Sequence, residues 1–271
     1  MSGRNWAQLG SRLPPGLKSS AKQLDATLLW ARVGSQVRRG ATPPPPCWAP
    51  PENAVLKTTA EWEAAVEELR RLRLPVHRDL TKNWDTLAAL AAVLRHTDRS
   101  SRVLDAGAAL YSTILAALWR YGYQDLVGIN LEFGEPVRRG PARFQHGDVT
   151  ATGLDTSSFD AITCLSVVEH GVDLGAYFQE AARLLRPGGI LVTSTDFSRK
   201  PLDTRGMTAY GVPVHVFTPD EIIAALELAR GLGLEPTGEV ELDRPHDQTV
   251  VWRRFGLRYT YLVLTLRRTG G

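Results

Sequence analysis

Four side chains in the second half of the chain have the chemistry to take up a proton. Glu169 and His170 follow an apolar run, residues 159–165, and Asp196 follows a second run, 190–195. His215 lies in G-V-P-V-H-V-F, after a long polar connection over 196–213. A carboxylate or imidazole at a strand's carboxyl end can serve as a general base, worth roughly 10²–10⁴-fold in rate. Histidine is the natural base near neutral pH. Glu169, Asp196 and a histidine together would also offer ligands to Mg²⁺, which acidifies a bound hydroxyl. A second constellation lies earlier, in R-V-L-D-A-G-A-A-L-Y-S over 102–112. It reads as a buried strand, the acid Asp105, a glycine turn and a helix start. Free backbone N–H groups meet the strand end there, which suits a nucleotide-like ligand.

The elements that must position these groups follow from periodicity. Beyond residue 100, strand and helix patterns alternate, as in a parallel sheet with helices on both faces. Strands are expected over 103–105, 125–130, 143–146, 159–165 and 190–195, with two more over 239–242 and 259–266. Helices are expected over 111–121, over 174–185 with Pro187-Gly188-Gly189 behind it, and over 219–232 with Thr218 as N-cap. Gly134, Pro136, Gly140 and Pro141 argue against a long helix in 131–142. Upstream, Thr58 and Glu61 have capping-box spacing for a helix that puts Trp62, Val66, Leu69 and Leu72 on one face and stops at Pro75. Asn83 reads as the cap of the next helix, with Leu87, Leu90 and Leu94 toward the core. Residues 1–20 read as loop, and 21–38 carry apolar residues near helical spacing. Pro43 to Pro46, Pro50 and Pro51 make a stiff linker. The expected division is an N-terminal extension over 1–55, suited to a lid or a homodimer contact, and a main domain over 56–271. Residues 196–216 would cap its substrate side.

Composition bounds the rest. The 271 residues are 43% hydrophobic and 23% charged, which predicts a packed core. A net charge of +3 gives no case for nucleic acid as a partner. The first 50 residues nonetheless hold seven basic residues (Arg4, Arg12, Lys18, Lys22, Arg32, Arg38, Arg39) against Asp25, so the remainder is acidic. Such an arm reads first as a solvated segment, and otherwise as a contact for phosphate, an acidic partner or a membrane surface. Two cysteines, Cys47 and Cys164, leave no disulfide framework or cysteine zinc site. No apolar run approaches the ~18 residues of a membrane span, and no signal-peptide core is legible, so a cytoplasmic location is expected.

Several motifs, in order and spacing, resemble the class I S-adenosylmethionine-dependent methyltransferases over residues 83–268. V-L-D-A-G (103–107) is similar to the family's first motif, and V-G-I-N-L (127–131) to its second-strand end. H-G-D-V (146–149) is similar to the adenine-contacting turn, and F-D-A-I-T-C-L-S-V-V-E-H (159–170) to the fourth strand with its loop. L-L-R-P-G-G-I-L-V-T (184–193) resembles the entry to the fifth strand, and F-T-P-D-E-I (217–222) the following helix start. The resemblance implies a doubly wound, Rossmann-like α/β fold with a seven-stranded, mostly parallel sheet and an antiparallel C-terminal hairpin. It implies S-adenosyl-L-methionine held by Asp105, Ala106, Gly107, Asn130, Leu131, Asp148, Val149, Leu165 and Ser166. It ranks His170 first as the base, then His215, with Glu169 and Asp196 as further candidates.

Two departures from the family pattern stand out. Ala109 and Tyr111 occupy positions where glycines are expected, and Asn130 replaces the ribose-contacting acid, with Glu132 two residues on as a substitute. A nicotinamide dehydrogenase is excluded because Gly107 to Ser112 breaks G-x-G-x-x-G. Ser166-Val167-Val168-Glu169 lacks the Asx-Pro-Pro-aromatic run of exocyclic-amine nucleic-acid methyltransferases. Cys164 sits inside a strand rather than in the Pro-Cys of cytosine-carbon enzymes. S-V-V-E-H-G-V-D and G-V-P-V-H-V-F-T are similar to bacterial methyltransferases of polysaccharide and glycoside tailoring. The resemblance therefore implies a sugar or oligosaccharide hydroxyl as acceptor. Another small natural-product hydroxyl or amine stands behind it, and then a non-catalytic binding module.

Overall fold

Among the described residues nine strands form one sheet, and its strand order puts a crevice where the sequence motifs fall. In chain order these are β1 (Arg102–Ala106), β2 (Asp125–Asn130), β3 (Val137–Arg139), β4 (Ala142–His146), β5 (Phe159–Leu165), β6 (Leu185–Phe197), then, after a separate two-stranded hairpin of β7 (Thr208–Ala209) and β8 (Val212–Pro213), β9 (Leu234–Pro236), β10 (Val250–Trp252) and β11 (Leu257–Arg268). The computed structural model describes residues 15–40, 42–209, 211–243 and 246–270. The expected loop over 1–14, with Arg4 and Arg12, lies outside them.

The order is β10-β11-β6-β5-β1-β2-β4-β3, with β9 also on β11. β1, β2, β4, β5 and β6 run parallel, and β11 is antiparallel to β6. This is the expected doubly wound, mostly parallel sheet with antiparallel C-terminal strands. Its strand count exceeds seven because short pieces are added at its edges. From β1 the chain winds one way to β2 and β4 and the other way to β5 and β6, so the ligand crevice falls at the carboxyl end of β1.

Alternation along the strands splits the core into two layers. Val103, Leu126, Ala161 and Val192 face helices α1 (Pro15–Arg38), α2 (Thr59–Arg71), α3 (Asn83–His96) and α4 (Thr113–Arg120). Leu104, Val127, Ile162 and Leu191 face α5 (Leu174–Leu184) and α6 (Pro219–Gly231). α1 contributes Ala26, Trp30 and Val33 to the first layer, so this part of the basic extension is packed rather than solvated.

Several local expectations change. Residues 15–20, read as loop, are helical. α4 begins at Thr113 because the Ser112 hydroxyl caps it, accepting from the Leu115 N–H at 3.4 Å. Glu61 makes no capping box with Thr58 and instead accepts from the Lys57 N–H at 2.8 Å. Asn83 lies inside α3. Its side chain accepts from His77 N–H at 2.7 Å and donates to the carbonyls of His77 and Leu80, bracing the 77–82 segment. β6 begins at Leu185, and Pro187-Gly188-Gly189 bulges out of it: the register passes from Phe159–Leu185 to Ala161–Ile190. The strand expected over 239–242 does not form. Ala54 to Leu56 occupy the matching stretch of β11, with Leu56 N–H donating to Tyr261 C=O at 2.8 Å and Val263 N–H to Ala54 C=O at 2.9 Å. Strand β9 pairs with Leu266–Arg268 instead.

Candidate active site at the carboxyl ends of β1, β5 and β6

The β1 turn is built around close approach. Gly107 has φ +86°, and a Cβ there would lie 2.4 Å from Val167 Cγ2 in the loop after β5. Asp105 is buried at the end of β1. It accepts from the Ser112 hydroxyl at 2.7 Å and the Thr163 hydroxyl at 3.0 Å. Burial pushes its carboxyl up to about 6, against the pull of those two donors. The Asn130 amide donates to the carbonyls of Gly107 (3.3 Å) and Ala108 (2.9 Å), and its oxygen accepts from the Glu132 N–H. Asn130 thus braces the glycine turn, while Glu132 is exposed beside it. Ala109 and Tyr111 leave a turn held from outside: the Trp30 indole of α1 donates to Leu110 C=O at 2.8 Å.

Asp148 and Val149 follow β4. Asp148 Oδ1 accepts from the N–H and hydroxyl of Thr150, at 2.8 and 2.7 Å. Leu131 is exposed, and Leu165 is half-buried at the end of β5. Ser166 has φ +54°, rare for a residue with a side chain. Its N–H reaches the carbonyl and the hydroxyl of Ser194, each at 3.1 Å.

Beside this turn sits a buried cluster of acids. Glu169 is 2% exposed and accepts from the Thr195 hydroxyl at 3.3 Å. Asp196 is 4% exposed and accepts from the Tyr259 hydroxyl. Burial, then the nearby Asp196 charge, pushes Glu169 up to about 8, with Lys82 pulling it down. Burial pushes Asp196 up to about 7, again against Lys82. Burial opposes the Lys82 charge, but Asp85, Glu169 and Asp196 outweigh it and hold the ammonium protonated. Its Nζ also lies 5.5 Å from the Tyr261 ring centroid.

The histidines stand differently. His170 is half-buried in the turn after β5, and burial, then Lys82, lowers its pKa, which keeps it neutral at pH 7. His215 is at the rim: its Nε2 is 3.1 Å from Glu221, its ring packs edge-on against Phe217, and its side chain is 43% exposed. The Mg²⁺ expectation fails on this arrangement. Among the described residues no three His, Cys, Asp or Glu side chains are placed to hold a metal, and the Lys82 ammonium supplies the positive charge that the carboxylates need.

Sequence reasoning missed Lys82, Asp85 and Tyr259. Asp85 reads as an ordinary acid in a helix's first turn. Lys82 lies on the short 3-10 turn before α3, and Tyr259 reads as one of the alternating residues of the last strand. The cap-like Asn83, which fixes that turn, was the one legible signal near them.

Residues 104–193 match the family model described as a methyltransferase domain. Over 40 residues the chain is 52% identical to a ubiquinone biosynthesis O-methyltransferase of Xanthomonas oryzae pv. oryzae (strain PXO99A), covering 15% of this chain and 17% of that protein. It is 28% identical over 118 residues to a probable S-adenosylmethionine-dependent methyltransferase of Mycolicibacterium smegmatis, covering 40% and 44%. The chain therefore spans less than half the length of these curated relatives. The crystal structure of geranyl diphosphate C-methyltransferase from Streptomyces coelicolor A3(2), with Mg²⁺, geranyl diphosphate and S-adenosyl-L-homocysteine, aligns with a TM-score of 0.51 at 20% identity, over 72% of this chain and 87% of that one. At that identity the likeness is one of fold. Residues 104–193 thus match a methyltransferase domain, set in a sheet of the same fold as that enzyme. Among the described residues no helix is long and apolar enough to cross a membrane.

Proposed function

We propose that the chain is an S-adenosylmethionine-dependent O-methyltransferase in which the Glu169–Asp196 pair takes the proton from an acceptor hydroxyl. The supporting observation is the pair itself: two buried carboxyls raised into the neutral range at the ends of β5 and β6, beside the β1 turn. A base serves best when its pKa lies near the working pH. The acid-rich crevice also suits a cationic cofactor. Gly107 and Ser166 line the cofactor's amino-acid end in this reading, Glu132 takes the ribose hydroxyls in place of Asn130, and Asp148 Oδ2 takes the adenine amino group.

The cofactor supplies an electrophilic methyl group on a sulfonium. The residues of this chain orient the acceptor in line with the sulfur–methyl bond, exclude water and move one proton. As the acceptor oxygen bonds to the methyl carbon, the sulfur keeps the electron pair of the broken bond. The hydroxyl proton passes to the carboxylate pair, with Tyr259 and Lys82 stabilising the pair's ionised form before transfer. Positioning alone accounts for up to ~7–11 kcal/mol of barrier lowering. Residues 196–216, with the β7–β8 hairpin, form the cap over the acceptor.

A sugar hydroxyl is the first acceptor class, on the strength of the 166–173 and 211–218 runs. A hydroxyl of a ubiquinone-biosynthesis intermediate is the second, favoured by the 52% identity over 40 residues. Labelled S-adenosylmethionine offered with panels of saccharides and ring hydroxyls decides between them. Label on neither panel, with cofactor binding intact, removes the O-methyl reading.

A further inference from the structure

Asp85 lies outside the motifs of the domain, on the helix before β1, yet it is bonded to the strained end of β5. It is 1% exposed. Its Oδ2 accepts from the Ser194 hydroxyl at 2.7 Å and lies 3.5 Å from the Ser166 hydroxyl. Ser194 in turn receives the Ser166 N–H on both its carbonyl and its hydroxyl oxygen. One carboxylate therefore ties β6 to the residue that ends β5.

That residue has φ +54°. A serine held in the left-handed region is strained and persists only where surrounding bonds over-determine it. Here those bonds are visible: the Ser194 carbonyl holds the Ser166 N–H directly, and the Ser194 and Ser166 hydroxyls both turn to Asp85. The strain sits where the β5 backbone turns into the crevice. A relaxed Ser166 would swing the Leu165–Ser166 peptide away from its present direction. Ser194 and Thr260 are fully buried and Thr193 is nearly so, which gives the region no slack to absorb such a shift.

We propose that Asp85 is a positioning residue for the amino-acid end of the cofactor: through Ser194 and Ser166 it fixes the backbone at the end of β5 that holds the cofactor's ammonium group. This rests on the reading of the crevice as an S-adenosylmethionine site. It goes further, because it assigns a role to a helix that the cofactor motifs do not include. The role is selective for one end of the ligand. In the proposed cofactor reading the adenosine end belongs to β2 and β4, which stand beyond β1 from the β5–β6 pair that Asp85 braces.

The selectivity gives the test. Binding of S-adenosylhomocysteine and of 5′-methylthioadenosine, which lacks the amino-acid portion, is measured by calorimetry for the full-length wild type, Asp85→Ala, Asp85→Asn and Ser194→Ala. S-adenosylhomocysteine should bind about tenfold or more weakly to Asp85→Ala and to Ser194→Ala, while 5′-methylthioadenosine binds as to wild type. Asp85→Asn, which keeps an acceptor oxygen, should recover most of the loss. Ser194→Ala breaks the same link without leaving a cavity under α3, and decides the matter if Asp85→Ala does not fold. Unchanged S-adenosylhomocysteine affinity in Ser194→Ala, or equal weakening of both ligands, overturns the proposal. Failure of the wild type to bind S-adenosylhomocysteine is a separate result that removes the cofactor reading beneath it.

Discussion

The crevice holds two kinds of buried acid. Asp105, at the end of β1, accepts two short hydroxyl bonds that oppose burial, and burial lifts it to about 6. Glu169, in the loop after β5, and Asp196, near the end of β6, each accept a hydroxyl bond; burial carries them to about 8 and about 7, and the Asp196 charge adds to the rise at Glu169. Hydrogen bonds to the charged form lower a carboxyl's pKa, whereas a like charge in a dry site raises it. The first arrangement holds a loop in place. The second stores the capacity to exchange a proton near neutral pH, with Lys82 setting how easily it does so.

The largest effect should come from the second region. Glu169→Gln should lower turnover by roughly 10²–10⁴-fold with S-adenosylhomocysteine affinity within about twofold of wild type, measured by steady-state kinetics and calorimetry. An equal loss in both would move Glu169 from the proton-transfer role to the binding site. Gly107→Ala breaks the first region. The alanine methyl would meet Val167 Cγ2 at 2.4 Å in a backbone conformation with φ +86°, so cofactor affinity and melting temperature should fall together. Loss of stability on the order of 1–3 kcal/mol is expected, read by thermal denaturation with and without S-adenosylhomocysteine.

Lys82→Met should shift the titration of the Glu169–Asp196 pair to higher pH, because the ammonium is the influence that opposes burial at both carboxyls. Carboxyl ¹³C shifts followed from pH 5 to 10 give the midpoint, and Lys82→Arg should restore it. A midpoint that stays put separates Lys82 from the pair. Asp196→Asn should stabilise the fold at neutral pH. Asp196 keeps its proton in the folded chain up to about 7 but loses it near about 3.9 when unfolded. The folded chain therefore loses stability to this group as pH rises from about 4 to about 7, and the loss is constant above that. The variant's melting temperature should match wild type at low pH and exceed it by a few degrees above pH 7. A difference independent of pH contradicts the assigned shift.

The two regions were also unequally legible. The strand–acid–glycine turn over 102–112 is contiguous, so its strand, its turn and the helix after Ser112 could be read directly. Glu169 and Asp196 were legible as acids at strand ends. Their pairing with Lys82, Asp85 and Tyr259 was not, because those groups arrive from a 3-10 turn, a helix and the last strand and meet only when the sheet closes. A non-local partner of the last strand was equally hidden: the Thr260 hydroxyl donates to Leu56 C=O, 204 positions earlier in the chain, while 239–242 form no strand. Asn83 shows the converse. Its residue type was right for a cap, but the 77–82 segment offered its side chain four backbone partners and drew it into the loop.

The central claim is that an ionisable carboxyl pair lies beside the reacting methyl centre. S-adenosylmethionine and S-adenosylhomocysteine differ there by one methyl group and one positive charge, so the ratio of their affinities senses nearby negative charge. Calorimetry of both ligands from pH 6 to pH 9 tests the claim without any acceptor. As the pair ionises, S-adenosylmethionine should gain several-fold over S-adenosylhomocysteine, and the gain should vanish in the Glu169→Gln/Asp196→Asn double variant. A ratio that stays flat across that range in the wild type would contradict the account.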